Sequence, residues 1–265
     1  MNQRKRIIAG NWKMNKTREE ATELSSALVS ALSGQEDLPE IVLCPPFTSL
    51  QTVVEKTSLS PVAVGAQNMD WRDSGAFTGE ISPVMLLDLG VKYVIIGHSE
   101  RRQFFGETNT TVNQKLKAAI KHSLVPIVCL GETLDERENN LTDAVVSRQI
   151  AAALADIDAT LLAELIIAYE PVWAIGTGKV CDAKEANRVA SVIRKTVSNL
   201  YTGVDIGLSV PILYGGSVNP KNVDEQLAQP DIDGSLVGGA SLKPEEFLPI
   251  IQAAQNRARL AASGT

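Results

Sequence analysis

Tyr93-Val94-Ile95-Ile96-Gly97-His98-Ser99-Glu100-Arg101-Arg102 is the stretch that decides the fold. An apolar run passes through a glycine into a histidine and then into a helical pattern. The run has no polar alternation, which is how a parallel strand covered on both faces reads. The same unit stands on either side of it. Ile7-Ile8-Ala9-Gly10 leads into Asn11-Trp12-Lys13, and Ile166-Ile167-Ala168-Tyr169 leads into Glu170-Pro171-Val172-Trp173. Working outward, apolar runs fall near residues 6–10, 40–44, 62–66, 93–97, 125–130, 165–169, 210–214 and 234–237. Eight strand–helix units in 265 residues predict the α/β class and one closed (β/α)8 barrel. The domain is expected to fill residues 1–265, with its core at about 6–255 and a frayed tail at 261–265. A doubly wound open sheet is the alternative, but no Gly-rich dinucleotide fingerprint follows the first strand.

The helical patterns carry usable ends. Thr17-Arg18-Glu19-Glu20 is a capping box opening a helix to about Leu32. Ser82-Pro83 supplies an N-cap with proline in the first turn, and Gly90 closes that helix. Asp182 caps a helix running to about Leu200.

Composition narrows the function. An apolar content of 44% fills a core, and a net charge of −6 argues against nucleic acid or an acidic membrane as partner. No apolar run approaches the ~18 residues of a membrane helix. The basic start, Met1 to Arg6, leads into too few apolar residues for a signal peptide, so a cytoplasmic location is expected. Cys44, Cys129 and Cys181 are odd in number and widely spaced, giving neither a disulfide framework nor a zinc pattern.

Barrel enzymes place their chemistry at the carboxyl ends of the strands. That rule selects Asn11, Lys13, Gln67, Asn68, His98, Glu100, Glu132, Glu170, Ser217 and the pair Gly238-Gly239. Glycine pairs after the seventh and eighth strands, Gly215-Gly216 and Gly238-Gly239, let backbone N–H groups approach a phosphate. Tight turns use such pairs too. After Glu170, the segment Pro171 to Lys179 has stiff ends and a small, apolar middle, as a hinged lid needs. Gly178-Lys179 does not make a P-loop, because Trp173 and Val180 stand where that motif needs Gly and Ser or Thr. His98 sits between a strand and a helical turn, whose N-terminus disfavours a charged ring. Its bland reading is a structural histidine, as His122 near a helix end is read. Lys13 follows a buried strand among aromatic and amide groups, with Glu100 as a candidate partner.

Six blocks then resemble the triosephosphate isomerase family. They are Ala9 to Asn15, Gly75 to Glu80, Gly97 to Arg102, Ala168 to Gly178, Tyr214 to Val218 and Val237 to Leu242, in the family's order. The likeness runs from about residue 6 to 255. It implies a TIM barrel that interconverts dihydroxyacetone phosphate and glyceraldehyde 3-phosphate without cofactor or metal. It further implies Glu170 as general base, His98 as neutral electrophile and Lys13 as cation beside the enediolate. Asn11 would orient substrate, and Gly176, Ser217, Gly238 and Gly239 would hold its phosphate, with Glu100 in support. The resemblance also implies a homodimer in which Thr78 reaches the neighbouring site. Met69, Trp71 and Phe77, on the loop from Gln67 to Glu80, are expected to form an exposed apolar patch in a lone chain.

The chain departs from the family's pattern in small ways. Lys179-Val180-Cys181 stands where alanine is common at the third place, no proline follows in Asp182 to Glu185, and Ser235 replaces a larger or apolar residue. Cys181, before a helix N-terminus, is a candidate redox-sensitive thiol of partial exposure. Two other readings stand beside the isomerase. A catalytically inactive sugar-phosphate sensor or scaffold would lack Lys13, His98 or Glu170, and all three are present. An aldolase or metal epimerase would need an apolar lysine pocket or several metal ligands.

Overall fold

The computed structural model describes residues 4–177, 179–204 and 206–263. Its eight strands form where the apolar runs stand: β1 (Ile7–Asn11), β2 (Glu40–Cys44), β3 (Val62–Ala66), β4 (Tyr93–Ile96), β5 (Val125–Leu130), β6 (Ile166–Tyr169), β7 (Ile212–Tyr214) and β8 (Gly234–Val237). Each pairs in parallel with the next in chain order, and β8 returns to β1, so the sheet closes into a barrel.

Helices among the described residues are α1 (Arg18–Leu32), α2 (Leu50–Thr57), α3 (Pro83–Asp88), α4 (Ser99–Phe104), α5 (Asn109–Lys121), α6 (Leu134–Glu138), α7 (Thr142–Ala153), α8 (Ala183–Leu200), α9 (Ile206–Ser209), α10 (Val223–Leu227) and α11 (Pro244–Ser263). The expected caps are in place. Thr17 and Glu20 form the reciprocal box of α1, Ser82 accepts from Met85 N–H, and Asp182 accepts from the N–H groups of Lys184 and Glu185. The tail expected to fray begins at 261. The backbone of α11 continues to Ser263, and Gly264 and Thr265 lie outside the described residues.

Alternation along the strands builds two cores. Ile7, Ala9, Val42, Tyr93, Ile95, Ile127, Ala168 and Leu213 pack with one another inside the barrel. Their neighbours Ile8, Ile41, Leu43, Val94, Ile96 and Ile167 pack against helix residues such as Leu28, Leu116, Val189 and Ile193. Burial on both faces is why the strand sequences do not alternate with polar residues.

The loop after β3 differs from expectation. Met69 is fully buried and Trp71 half-buried, leaving Phe77 as the exposed member of the three. The loop closes on itself through Asp70 N–H to Ile81 O, and Arg72 stacks on Trp71 and Phe77 while pairing with Asp70. Exposed apolar side chains stand elsewhere, at Met14, Phe47, Met85, Phe104 and Phe105. No helix of the described residues is long and apolar enough to cross a membrane.

Candidate active site

A cavity of about 390 Å³ opens at the carboxyl ends of the strands. Asn11, Lys13, His98, Glu170, Gly176, Ser217, Gly238 and Gly239 all line it. Residues selected for chemistry from separate segments of the chain therefore share one space. Glu100 stands at its edge through its pair with Lys13. Thr78 is exposed on the loop after β3 and does not line the cavity of its own chain.

Glu170 follows β6, its N–H extending the ladder to Leu130 O. Its carboxylate is almost wholly buried. Oε2 accepts from the backbone N–H of Ser99 at 2.8 Å. Oε1 lies 2.9 Å from His98 Nε2 without the alignment of a hydrogen bond, and has no hydrogen-bond partner. Burial opposes its charge, but His98 and the Ser99 N–H outweigh burial and hold the carboxyl below the usual glutamate range. Residue types alone do not announce the Ser99 N–H, because every residue but proline carries such a donor.

His98 is the N-cap of α4. Its Nδ1 accepts from Glu100 N–H at 3.3 Å, which leaves Nε2 as the nitrogen that carries a proton. Burial disfavours charging the ring, while the adjacent Glu170 carboxylate outweighs burial and raises the pKa of His98. A substrate that parts the two would remove the force favouring protonation.

Lys13 takes a left-handed backbone with φ of 52°. Such a conformation costs a non-glycine residue on the order of 1–2 kcal/mol, so it needs bracing. Asn11 Oδ1 accepts from Lys13 N–H at 3.0 Å, and Gln67 Nε2 donates to Lys13 O and to Cys44 O, both at 2.8 Å. Gln67 thus has a definite task that its position alone did not reveal. The Lys13 ammonium reaches Glu100 Oε1 at 2.5 Å.

The glycine pairs separate into two kinds. A Cβ on Gly215 would stand 2.9 Å from Glu170 Cγ, and one on Gly216 would overlap the Tyr214 hydroxyl. That pair makes room for the protein's own side chains. A Cβ on Gly239 would meet no protein atom within 4 Å, and one on Gly238 would only graze Lys13 Cε at 3.5 Å. The space beside the second pair belongs to the cavity, as a phosphate cradle requires.

Glu132 has a role the strand-end rule flagged without defining. It is fully buried, accepts from Tyr169 OH and from Trp173 Nε1, and so pins the start of the segment after Glu170. Burial raises its pKa despite those donors. Beneath β4, Glu107 accepts from Gly97 N–H, Arg101 and Lys115, a buried cluster the sequence did not single out.

Cys181 is not partly exposed. It is fully buried, packs in the outer core, and burial pushes its thiol up to about 12. The turn into α8 points it inward, so proximity to a helix N-terminus does not yield a thiolate. The candidate redox role is therefore corrected to a packing one.

The family model described as "TIM: Triosephosphate isomerase" matches residues 6–254. The chain is 55% identical over 249 residues to a protein of a Synechococcus sp. strain named "Triosephosphate isomerase", covering 92% of this chain and 95% of that one. It is 52% identical over 248 residues to a protein of that name from Clostridium tetani, covering 94% and 96%. It is 53% identical over 248 residues to another from Trichodesmium erythraeum, covering 94% and 98%.

Proposed function

This chain belongs to the triosephosphate isomerase family, and we propose that Glu170, His98 and Lys13 carry the family's reaction in its pocket. The reaction interconverts dihydroxyacetone phosphate and D-glyceraldehyde 3-phosphate. The division of roles is known for the family and is carried over here residue by residue. Glu170 takes the proton beside the substrate carbonyl. His98 Nε2–H donates to the carbonyl oxygen as negative charge builds on it, and the Lys13 ammonium stabilises that charge. Glu170 returns the proton to the adjacent carbon, and the hydroxyl proton passes by way of His98 from the neighbouring oxygen to the former carbonyl oxygen, so the carbonyl and hydroxyl exchange places.

One observation carries the assignment: the carboxylate, the ring donor and the ammonium face one cavity that the open Gly238-Gly239 backbone also lines. With phosphate held by Gly176, Ser217, Gly238 and Gly239, and Asn11 beside Lys13, the carbon chain points toward Glu170. The base starts from a resting place on the Ser99 N–H and has to leave it. Catalytic contacts often tighten only once substrate is bound. Closure of the segment after Glu170 keeps water from the enediolate.

The active unit in this reading is a homodimer in the cytoplasm, with no nucleic-acid or membrane partner and no cofactor. A second cavity beside the first is lined by Met14, Phe47, Gln67 and Phe105, among others. It is a fitting receptacle for the loop carrying Phe77 and Thr78 from another copy, which brings Thr78 to the neighbouring site. The chain forms one catalytic domain. A coupled assay with each triose phosphate tests the reading. Turnover in both directions is expected, and binding without turnover would establish the inactive sugar-phosphate barrel instead.

A further inference from the structure

Two amide side chains at α10 connect the phosphate end of the cavity to the far end of the lid. Asn222, the N-cap, and Gln226 are four residues apart, so they share one face of the helix. Asn222 Nδ2 donates to Ser217 O at 2.9 Å, and its Oδ1 accepts from Asn219 N–H at 2.9 Å. One turn on, Gln226 Nε2 donates to Cys181 O at 3.2 Å. Ser217 lines the cavity, and Cys181 closes the segment that carries Gly176 into it.

Gln226 is a costly choice for stability alone. It is 2% exposed, and its Oε1 is buried without a partner. An apolar side chain of the same length would fill the space without stranding an acceptor. The half-used amide makes sense if the peptide it holds moves. Its donor fixes the hinge carbonyl in the present position, and its free oxygen can accept from a hinge N–H after the peptides turn.

We propose that Asn222 and Gln226 form a brace coupling phosphate binding at Ser217 to the position of the lid. Gln226 is a positioning residue: it touches no substrate and acts through Cys181. The proposal rests on reading the glycine end of the cavity as the phosphate site. Its consequence is selective. Loss of the brace weakens what the phosphate contributes to catalysis and spares the chemistry at Glu170, His98 and Lys13.

The experiment compares wild type with Gln226→Met and Gln226→Leu. Both fill the buried space with an apolar side chain and remove the donor. kcat/KM is measured for glyceraldehyde 3-phosphate and for D-glyceraldehyde, which lacks the phosphate. Trp173 fluorescence, at the lid's start, is titrated with inorganic phosphate. We expect kcat/KM for the phosphorylated substrate to fall roughly five-fold or more, the scale of one lost hydrogen bond. D-Glyceraldehyde turnover should stay within about two-fold, and the phosphate titration should shift to higher concentration. An equal fall on both substrates would make Gln226 structural and overturn the brace, as would no change on either. If Gln226→Met does not fold, Gln226→Leu decides between these outcomes. A wild type inactive on triose phosphates would overturn the isomerase reading instead, and the phosphate titration would still decide the brace.

Discussion

Each of the three candidate catalytic side chains is fixed by a neighbour of modest appearance. Gln67 holds the left-handed backbone of Lys13, Ser99 N–H holds Glu170, and Glu100 N–H selects the tautomer of His98. Shortening the proposed base in Glu170→Asp withdraws the carboxylate by about an ångström, which can cost ~10²-fold in rate. Because the proposed phosphate contacts are untouched, kcat should fall far more than KM changes, and steady-state kinetics in one direction check this. Turnover within a few-fold of wild type would mean another group is the base. The thiols give a second expectation. Cys44, Cys129 and Cys181 are all buried, and burial pushes Cys44 and Cys181 up to about 12. Native chain should therefore resist a thiol reagent or oxidised glutathione, with full labelling only after denaturation. Rapid loss of activity in wild type but not in Cys181→Ala would restore a redox role to that residue. The candidate catalytic residues were legible because their types are rare and sit at strand ends. Their braces were not, since backbone donors and ordinary amides carry no signal in sequence.

Among the elements, the loops after β3 and β4 hang on a buried charge cluster. Lys115 on α5 joins Glu107 at 2.7 Å and Asn68 Oδ1 at 2.7 Å, and Arg101 adds a second cation to Glu107. Burial lowers the pKa of Lys115 even against the pull of Glu107, so sinking the ammonium is a net cost. For Glu107, burial also opposes the charge, but Lys115, Arg101 and Gly97 N–H together hold it below its ordinary 4.5. Lys115→Met leaves that carboxylate short of a partner and should destabilise the chain by about 3–5 kcal/mol. Urea unfolding at neutral pH measures it, and a loss under about 1 kcal/mol would show that Arg101 alone suffices. The sign with pH follows from the depressed carboxylate. Its folded value lies below its unfolded one, so its contribution is complete above about pH 4.5 and is lost as pH falls through the folded value. The strands and the caps at Thr17, Ser82 and Asp182 were readable because local chemistry sets them. This cluster was not, because Asn68, Glu107 and Lys115 are separated along the chain and meet only once the barrel closes. Met69 misled for the same reason: loop position argued for exposure, and the closed loop buries it.

For the molecule as a whole, eight unalternating apolar runs marked parallel strands covered on both faces, and their number, with no dinucleotide fingerprint after the first, favoured a closed barrel over a doubly wound sheet. What a lone chain leaves open is apolar: Met14 is 96% exposed, and Phe104 and Phe105 are about two-thirds exposed. Such a surface beside a cavity expects a partner, and the proposed symmetric homodimer would supply one. Light scattering should give a mass near twice the 28.4 kDa chain. Full activity at the single-chain mass would show that the site is complete without its neighbour. Proton transfer by Glu170 through an enediolate is the step on which the proposed function depends, and isomerisation in heavy water probes it. Dihydroxyacetone phosphate turned over in D2O should yield glyceraldehyde 3-phosphate carrying deuterium at C2, because a carboxylate base exchanges its proton with solvent. Glu170→Gln should abolish both turnover and labelling. Undiminished turnover or labelling in Glu170→Gln would rule out Glu170 as the base.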